Sequence, residues 1–289
     1  PTCLTQRIEL NHGAARCLVL PELGGSLGGW WIAGQAMLRP ADEAAIASSD
    51  ATRLSGFPLV PYSNRIADAR FDWHGQTIAL QANRSDETHA LHGMGWQRAW
   101  QVSEQTAASA VLRLDHPGDA FWPWPLRAEQ RITLSANRLT LDLSAVNLAD
   151  QPVPLAIGHH PYFPRDEACV TFAAETVWLA DVRNLPVSSC APSGPLDLSS
   201  GPRMAGRAID NCYSGVSWPA RISWPDRAVA IDCSANLPCA MVYANAGADA
   251  LCIEPVAHVS NALGRTDAEM PVIAPGEQFA ARIVLSISD

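Results

Sequence analysis

Charge is scarce in this chain: 17% of its 289 residues are Asp, Glu, Lys or Arg, against 48% hydrophobic. The 20 basic residues are scattered and outnumbered by 29 acidic ones, for a formal charge of −9. Nucleic acid is disfavoured as a partner, because neutralising phosphates takes clustered Lys and Arg. No apolar run approaches the roughly 20 residues of a membrane span, so no membrane partner is expected. The opening Pro1-Thr2-Cys3-Leu4-Thr5-Gln6-Arg7 has no basic region leading into an apolar stretch, and no secretory signal is visible in it. None of the eight cysteines (Cys3, Cys17, Cys169, Cys190, Cys212, Cys233, Cys239 and Cys252) falls in a C-x-x-C pair. Neither a disulfide framework nor a structural zinc site is therefore expected. Most of these thiols read as reduced, buried side chains of a cytoplasmic protein. Ser/Gly-rich linkers and internal repeats are absent too, and residues 1–289 read as one domain. Oligomeric state leaves no trace.

What the chain does have is period-two alternation almost everywhere. Leu139, Leu141 and Leu143 point one way while Thr140, Asp142 and Ser144 point the other; Ala110, Leu112 and Leu114 alternate with Val111 and Arg113; Ile283, Leu285 and Ile287 close the chain. These are half-buried strands. Turn signals separate such runs: His74-Gly75, Ala136-Asn137 and Pro225-Asp226. Long helical periodicity is nearly missing, with one short helix expected over Asp42 to Ala47. The Pro/Ser-rich piece from Pro186 to Pro202 reads as a surface loop. A long series of short strands with hairpin turns predicts an antiparallel all-β sandwich or barrel.

Few residues stand out chemically. In the extended segment Gly158-His159-His160-Pro161-Tyr162-Phe163, His160 and Tyr162 share one face, and His159 and Phe163 the other. His160 can serve as a general acid, although a lone histidine is as readily a satisfied core side chain. His92, in Leu91-His92-Gly93-Met94-Gly95-Trp96, has glycines that suit close approach to a ligand or merely a tight loop. Asn64-Arg65 can present a fork of donors to hydroxyl oxygens, or be ordinary surface. Glu254 is sharper: Leu251-Cys252-Ile253-Glu254-Pro255-Val256 is an apolar strand with one carboxylate inside it. Burial of that kind raises a carboxyl toward the pH at which it works as a general base. Asp210-Asn211-Cys212-Tyr213 is weaker, since Asp and Asn are also turn residues.

Taken in order, Asn64-Arg65, Leu91-His92-Gly93, His160-Pro161-Tyr162-Phe163, Asp210-Asn211-Cys212-Tyr213 and Glu254-Pro255 resemble the aldose 1-epimerase (galactose mutarotase) family. The resemblance runs from about residue 60 to the C-terminus. It implies a large antiparallel β-supersandwich of the galactose mutarotase-like kind, with a monosaccharide on its concave face and no metal or organic cofactor. It also implies Glu254 as general base, His160 as general acid, Arg65 and His92 as sugar-binding and charge-stabilising groups, and Asp210 and Asn64 as further substrate-binding residues. The chain departs from common family patterns at Met94, at Pro161 and along Val256-Ala257-His258-Val259-Ser260-Asn261. The expected activity is interconversion of α and β anomers of a free aldose. Three alternatives stand beside it: a phosphosugar 1-epimerase drawing on Arg65, Arg70 and Arg84; a non-catalytic carbohydrate-binding sandwich; and a cupin-like metal enzyme using His89, His92, His160 and Glu254. Trp73, Trp96, Trp218 and Trp224 are candidates for stacking on a sugar. Glu254 and His160 are expected to flank one hollow, about a sugar ring apart.

Overall fold

The alternation read along residues 138–147 becomes a strand, Arg138–Asn147, in a computed structural model of the protein that describes residues 5–245 and 247–287. Leu139, Leu141 and Leu143 are buried, and Thr140, Asp142 and Ser144 are half-exposed. This strand belongs to a meander: Gln101–Gln105, Ser109–His116, Leu126–Ser135 and Arg138–Asn147 pair in turn, each antiparallel to the last. Gln278–Ile287 then pairs with Arg138–Asn147, and Arg227–Cys233 with Gln278–Ile287. Val111, expected to face outward, is 1% exposed, so the Ser109–His116 strand is covered on both faces there.

The long strand Ile209–Trp224 joins this array to a second one. Its residues 220–224 pair with Arg227–Cys233, and its residues 209–214 pair with Cys239–Ala244. From there the second array runs through Ala250–Val256, Gly158–Pro164, Gly56–Leu59, Ser26–Ile32, Ala15–Leu20 and Ile8–His12, again antiparallel throughout. The architecture is all-β, as the pattern of short strands predicts. No helix among the described residues is long and apolar enough to cross a membrane.

Local chemistry sets the joints. His74 and Gly75 adopt φ of 48° and 77° in the two-residue hairpin between Trp73 and Gln76, a left-handed pair matched to the strand twist. The expected short helix spans Glu43–Ser48, capped by the Asp42 carboxylate accepting from the Ala45 amide at 2.7 Å. One expectation fails. Within Pro186 to Pro202, Pro186–Cys190 is a strand paired with Cys169–Ala180, and Gly194–Leu196 is a 3₁₀ turn. Its residues after Pro186 are exposed, so it buries no apolar stripe whose period a sequence could show; ladder hydrogen bonds and the Arg265 guanidinium on the Pro186 carbonyl hold it. The seven described cysteines are free thiols, and Cys17, Cys212, Cys239 and Cys252 are buried. Cys3 lies outside the described residues.

Candidate functional site

Strand pairing lays out the floor of a cavity of about 410 Å³. Asp210 stands opposite Tyr243, Tyr243 opposite Cys252, and Cys252 opposite Tyr162. Side chains two residues apart on a strand share a face, so a parallel row runs alongside: Cys212, Met241, Glu254 and His160. Glu254 and His160 thus meet across adjacent strands, with His160 Nε2 3.2 Å from a Glu254 carboxylate oxygen. Both line the cavity with Asp210, Tyr162 and Tyr243, while Asn64, Arg65 and His92 form part of its wall. All six residues singled out for a site are therefore brought together.

The spacing corrects one expectation. Glu254 and His160 touch; they do not stand a ring's width apart. None of Trp73, Trp96, Trp218 and Trp224 lines the cavity. Trp96 lies behind it, its ring stacked 5.4 Å from Phe57, and Trp73 belongs to an aromatic core cluster with Trp124. The aromatic lining is Tyr162 and Tyr243. The ring of Tyr162 stacks on His160 at 4.6 Å and carries the Arg39 guanidinium on its surface at 4.3 Å.

Burial governs the acid–base character here. Glu254 is 1% exposed, and its carboxyl is raised well above the usual range by desolvation, then by Asp210 and Cys212, with Arg65 opposing. His160 is pushed well down, by desolvation first and then by the neighbouring His92 and His159. The two groups hold a single proton between them over a wide pH range, because adding a second charges the imidazole and removing the last charges the carboxyl. Asp210 is also raised, by burial, with Arg65 opposing.

His92 has a different task. Its backbone amide donates to the Asn64 carbonyl at 2.8 Å, and its Nδ1 accepts from the Asn64 amide at 3.1 Å. Burial, with Arg65 and Arg84 adding to it, lowers its pKa to about 3, so the ring is neutral and Nε2 carries its hydrogen. His92 is a fixed donor, not a titrating group. Reciprocal pairing requires left-handed backbone at both residues, φ 55° at Asn64 and 60° at His92. Gly93 follows at φ 68°, where a Cβ would lie 2.0 Å from the Val60 carbonyl oxygen; the glycine serves backbone packing, not ligand approach.

A segment the sequence reading noted only as a departure holds this wall in place. The Ser63 amide donates to His258 Nε2 at 3.3 Å, Ser260 Oγ donates to Asn64 Oδ1 at 2.8 Å, the Asn261 amide donates to the Arg65 carbonyl at 2.8 Å, and the Ala67 amide donates to Asn261 Oδ1 at 3.0 Å. Residues 258–261 follow Glu254 directly, so the strand bearing the carboxylate also anchors the loop bearing Asn64 and Arg65. Asn64 Oδ1 is committed to Ser260 and to the Arg65 amide, leaving the side-chain amide nitrogen for a ligand.

Three arginines line the cavity, each beside a carboxylate: Arg65 with Glu87 at 3.1 Å, Arg84 with Asp86 at 2.7 Å, and Arg39 with Asp249 at 3.4 Å. Arg70 is elsewhere, on the Arg70–Trp73 strand. Of the four donors of the cupin-like alternative, His89 is outside the cavity lining, accepting at Nδ1 from the Asp68 amide at 2.9 Å, and His92 Nδ1 is occupied by Asn64. That donor set does not converge.

Comparison with known proteins completes the picture. The sequence model of the aldose 1-epimerase family matches residues 6–286. The uncharacterized protein YphB of Escherichia coli K12 is 29% identical over 96% of this chain and 97% of its own length. The aldose 1-epimerase of the same organism is 30% identical over 40% of this chain and 34% of its own. Among solved structures, one from E. coli K12, provisionally described as an aldose 1-epimerase, superposes with a TM-score of 0.90 at 28% identity, covering 98% of this chain and 99% of that one. The galactose 1-epimerase of Lactobacillus acidophilus NCFM shares the fold at a TM-score of 0.81 and 18% identity, over 98% of this chain and 94% of that one.

Proposed function

The chain belongs to the aldose 1-epimerase family, and from that footing we propose that it is an isomerase interconverting the α and β anomers of a free aldose. The observation that carries the reading is the direct contact of His160 Nε2 and Glu254 at the floor of a sugar-sized cavity. The hydroxyl oxygen and the ring oxygen of a pyranose are bonded to the same carbon. A base and an acid that address them must therefore stand side by side, as these two do. Glu254 takes the proton of the C1 hydroxyl while His160 delivers one to the ring oxygen, and the C1–ring oxygen bond breaks to leave an open-chain aldehyde. Rotation about C1–C2 presents the other carbonyl face. Ring closure then runs with the two roles exchanged, Glu254 giving up its proton and His160 regaining one, so that the pair carries a single proton throughout and ends with it where it began.

In this reading the Nε2–H of His92 and the Arg65 guanidinium face the oxygen on which charge develops, and Asp210 and the Asn64 amide hold sugar hydroxyls. Free sugar is favoured over phosphosugar because Arg39, Arg65 and Arg84 are each already beside a carboxylate; a phosphate would have to compete with that partner. Free thiols in the described chain support the cytoplasm as the place of reaction. Polarimetry on freshly dissolved α-galactose and α-glucose tests the proposal. Wild-type protein should accelerate relaxation, with sugar 6-phosphates failing to compete, and Glu254→Gln and His160→Gln should each abolish most of the acceleration. Wild-type rates in both variants would remove the assignment, and binding without any acceleration by the wild type would favour the carbohydrate-binding alternative.

A further inference from the structure

Cys252 is absent from the acid–base scheme, yet it sits against it. It lies two residues before Glu254 on the same strand and directly opposite Tyr162, so its side chain shares the face of Glu254 and His160. His160, Cys252 and Glu254 each bring one donor atom (imidazole nitrogen, sulfur and carboxylate oxygen) to within 4.8 Å of the other two, and all three residues are buried. The second Glu254 oxygen, Oε2, is buried without a hydrogen-bond partner, a costly condition that an electrophile at this point would relieve.

We propose that His160, Cys252 and Glu254 form a site for a soft divalent cation, zinc being the type, whose occupation blocks the anomer interconversion proposed above. The donor set of nitrogen, sulfur and carboxylate oxygen is one zinc accepts, and three protein ligands leave the fourth tetrahedral position open. That position faces the cavity lined by His160 and Glu254 and is open to water or a sugar oxygen. Zinc–ligand bonds of about 2.0–2.3 Å place bound donors some 3.3–3.8 Å apart. The His160–Glu254 edge, at 3.2 Å, is within about 0.1 Å of that range, so mainly the sulfur edges have to shorten, by up to about 1.3 Å. Cys252 is 0% exposed and does not line the cavity; an ion held by all three donors ties up both the acid and the base, which is why binding and inhibition coincide. On binding, the Cys252 S–H bond breaks, a sulfur–metal bond forms, and the thiol proton leaves to solvent together with the proton shared by His160 and Glu254. Burial, followed by the charge of Glu254, raises the Cys252 thiol well above its ordinary value. Affinity therefore falls as pH is lowered, since protons compete for all three donors. The inhibitory role rests on the functional reading; the binding does not.

Cobalt(II) as a spectroscopic probe, with zinc chloride for affinity, separates the two. Chelator-stripped wild-type protein should take up one cobalt ion and develop a thiolate-to-cobalt charge-transfer band in the near ultraviolet. Cys252→Ser, checked for a wild-type unfolding midpoint, should lose the band and bind zinc at least ~10-fold more weakly, and Cys190→Ser, at the exposed thiol, should keep both. A wild-type protein with no such band overturns the site, and so does a band that survives Cys252→Ser or vanishes with Cys190→Ser. In the activity arm, zinc should inhibit anomer exchange competitively with sugar and reversibly with chelator, and the inhibition should weaken at least ~10-fold in Cys252→Ser. Zinc bound at Cys252 without inhibition would overturn the blocking role alone. A protein that binds cobalt at Cys252 but never accelerates anomer exchange would count against the mutarotase reading and leave the metal site standing.

Discussion

The meander from Leu126 to Asn147 alternates buried and more exposed residues along each strand, whereas Ala250–Val256 is buried at every position and Gly158–Pro164 at all but its last. The difference is one of what covers each face. The meander packs its apolar side inward and leaves charged pairs such as Arg282 with Asp142 on the outside. The strands under the cavity have core on one face and the proposed acid and base on the other. Polar groups on that second face lose water without gaining many partners, and this is why Glu254 is raised and His160 lowered while the exposed carboxylates of the meander sit beside arginines. One array supplies packing; the other supplies a dry floor on which protonation states can be set.

That division can be broken or sharpened by experiment. The largest effect should come from Glu254→Gln, which is expected to lower kcat by ~10²–10⁴-fold with little change in KM and an unchanged or higher unfolding midpoint, because a buried carboxyl is replaced by an amide of the same shape. Steady-state anomer exchange by NMR with parallel thermal denaturation measures both. Next, Leu141→Ala in the meander should do the reverse: about 2–5 kcal/mol of stability lost in urea denaturation, with kcat per folded molecule intact. A catalytic loss at Leu141 as large as that at Glu254 would end the division of labour.

The third test is acid. His92 and His159 have pKa values lowered to about 3 and His258 to about 4, each by burial first. The unfolded chain binds protons at these side chains from about pH 6.5 downward while the folded one does not. Their contribution to stability is thus complete above pH 6.5 and is lost as pH falls toward 4 and then 3, by up to about 1.4 kcal/mol per histidine per pH unit. The unfolding midpoint should drop by roughly 5 °C or more between pH 7 and pH 5; a flat profile would contradict the buried neutral imidazoles. Smallest is Ser260→Ala, which frees Asn64 Oδ1 from one hydrogen bond. It should cost about 1 kcal/mol, read mainly as a several-fold rise in KM, with the His92 tautomer, followed by nitrogen NMR, less firmly held at Nε2.

The meander was open to reading from residue types because Leu139, Leu141 and Leu143 obey a simple period. The short helix was equally open, through Asp42 as its cap. Pro186–Cys190 was not, since an exposed edge strand has no buried stripe to betray it. At the site, the isolated Glu254 in an apolar run and the shared face of His160 and Tyr162 were visible in advance. Their contact was not, because it depends on the register between two strands about ninety residues apart. Cys252 carried a signal that went unread: a side chain two places from Glu254 shares its face. The Ser260–Asn64 and Asn64–His92 bonds involve left-handed backbone at non-glycine residues, which composition does not announce. The aromatic lining falls to Tyr162 and Tyr243, while the most deeply buried tryptophans, Trp30, Trp100 and Trp122, serve the core.

The strand Ile209–Trp224 has a consequence for how the molecule comes apart. Its first part is stitched to the array beneath the cavity and its last part to the packing array, so neither half can loosen its amides without pulling on a strand it shares with the other. Deuterium should enter Ile209–Ser214 and Ala220–Trp224 at a common, slow rate set by whole-chain opening. The proposed reading of the chain as one domain stands or falls on that shared clock.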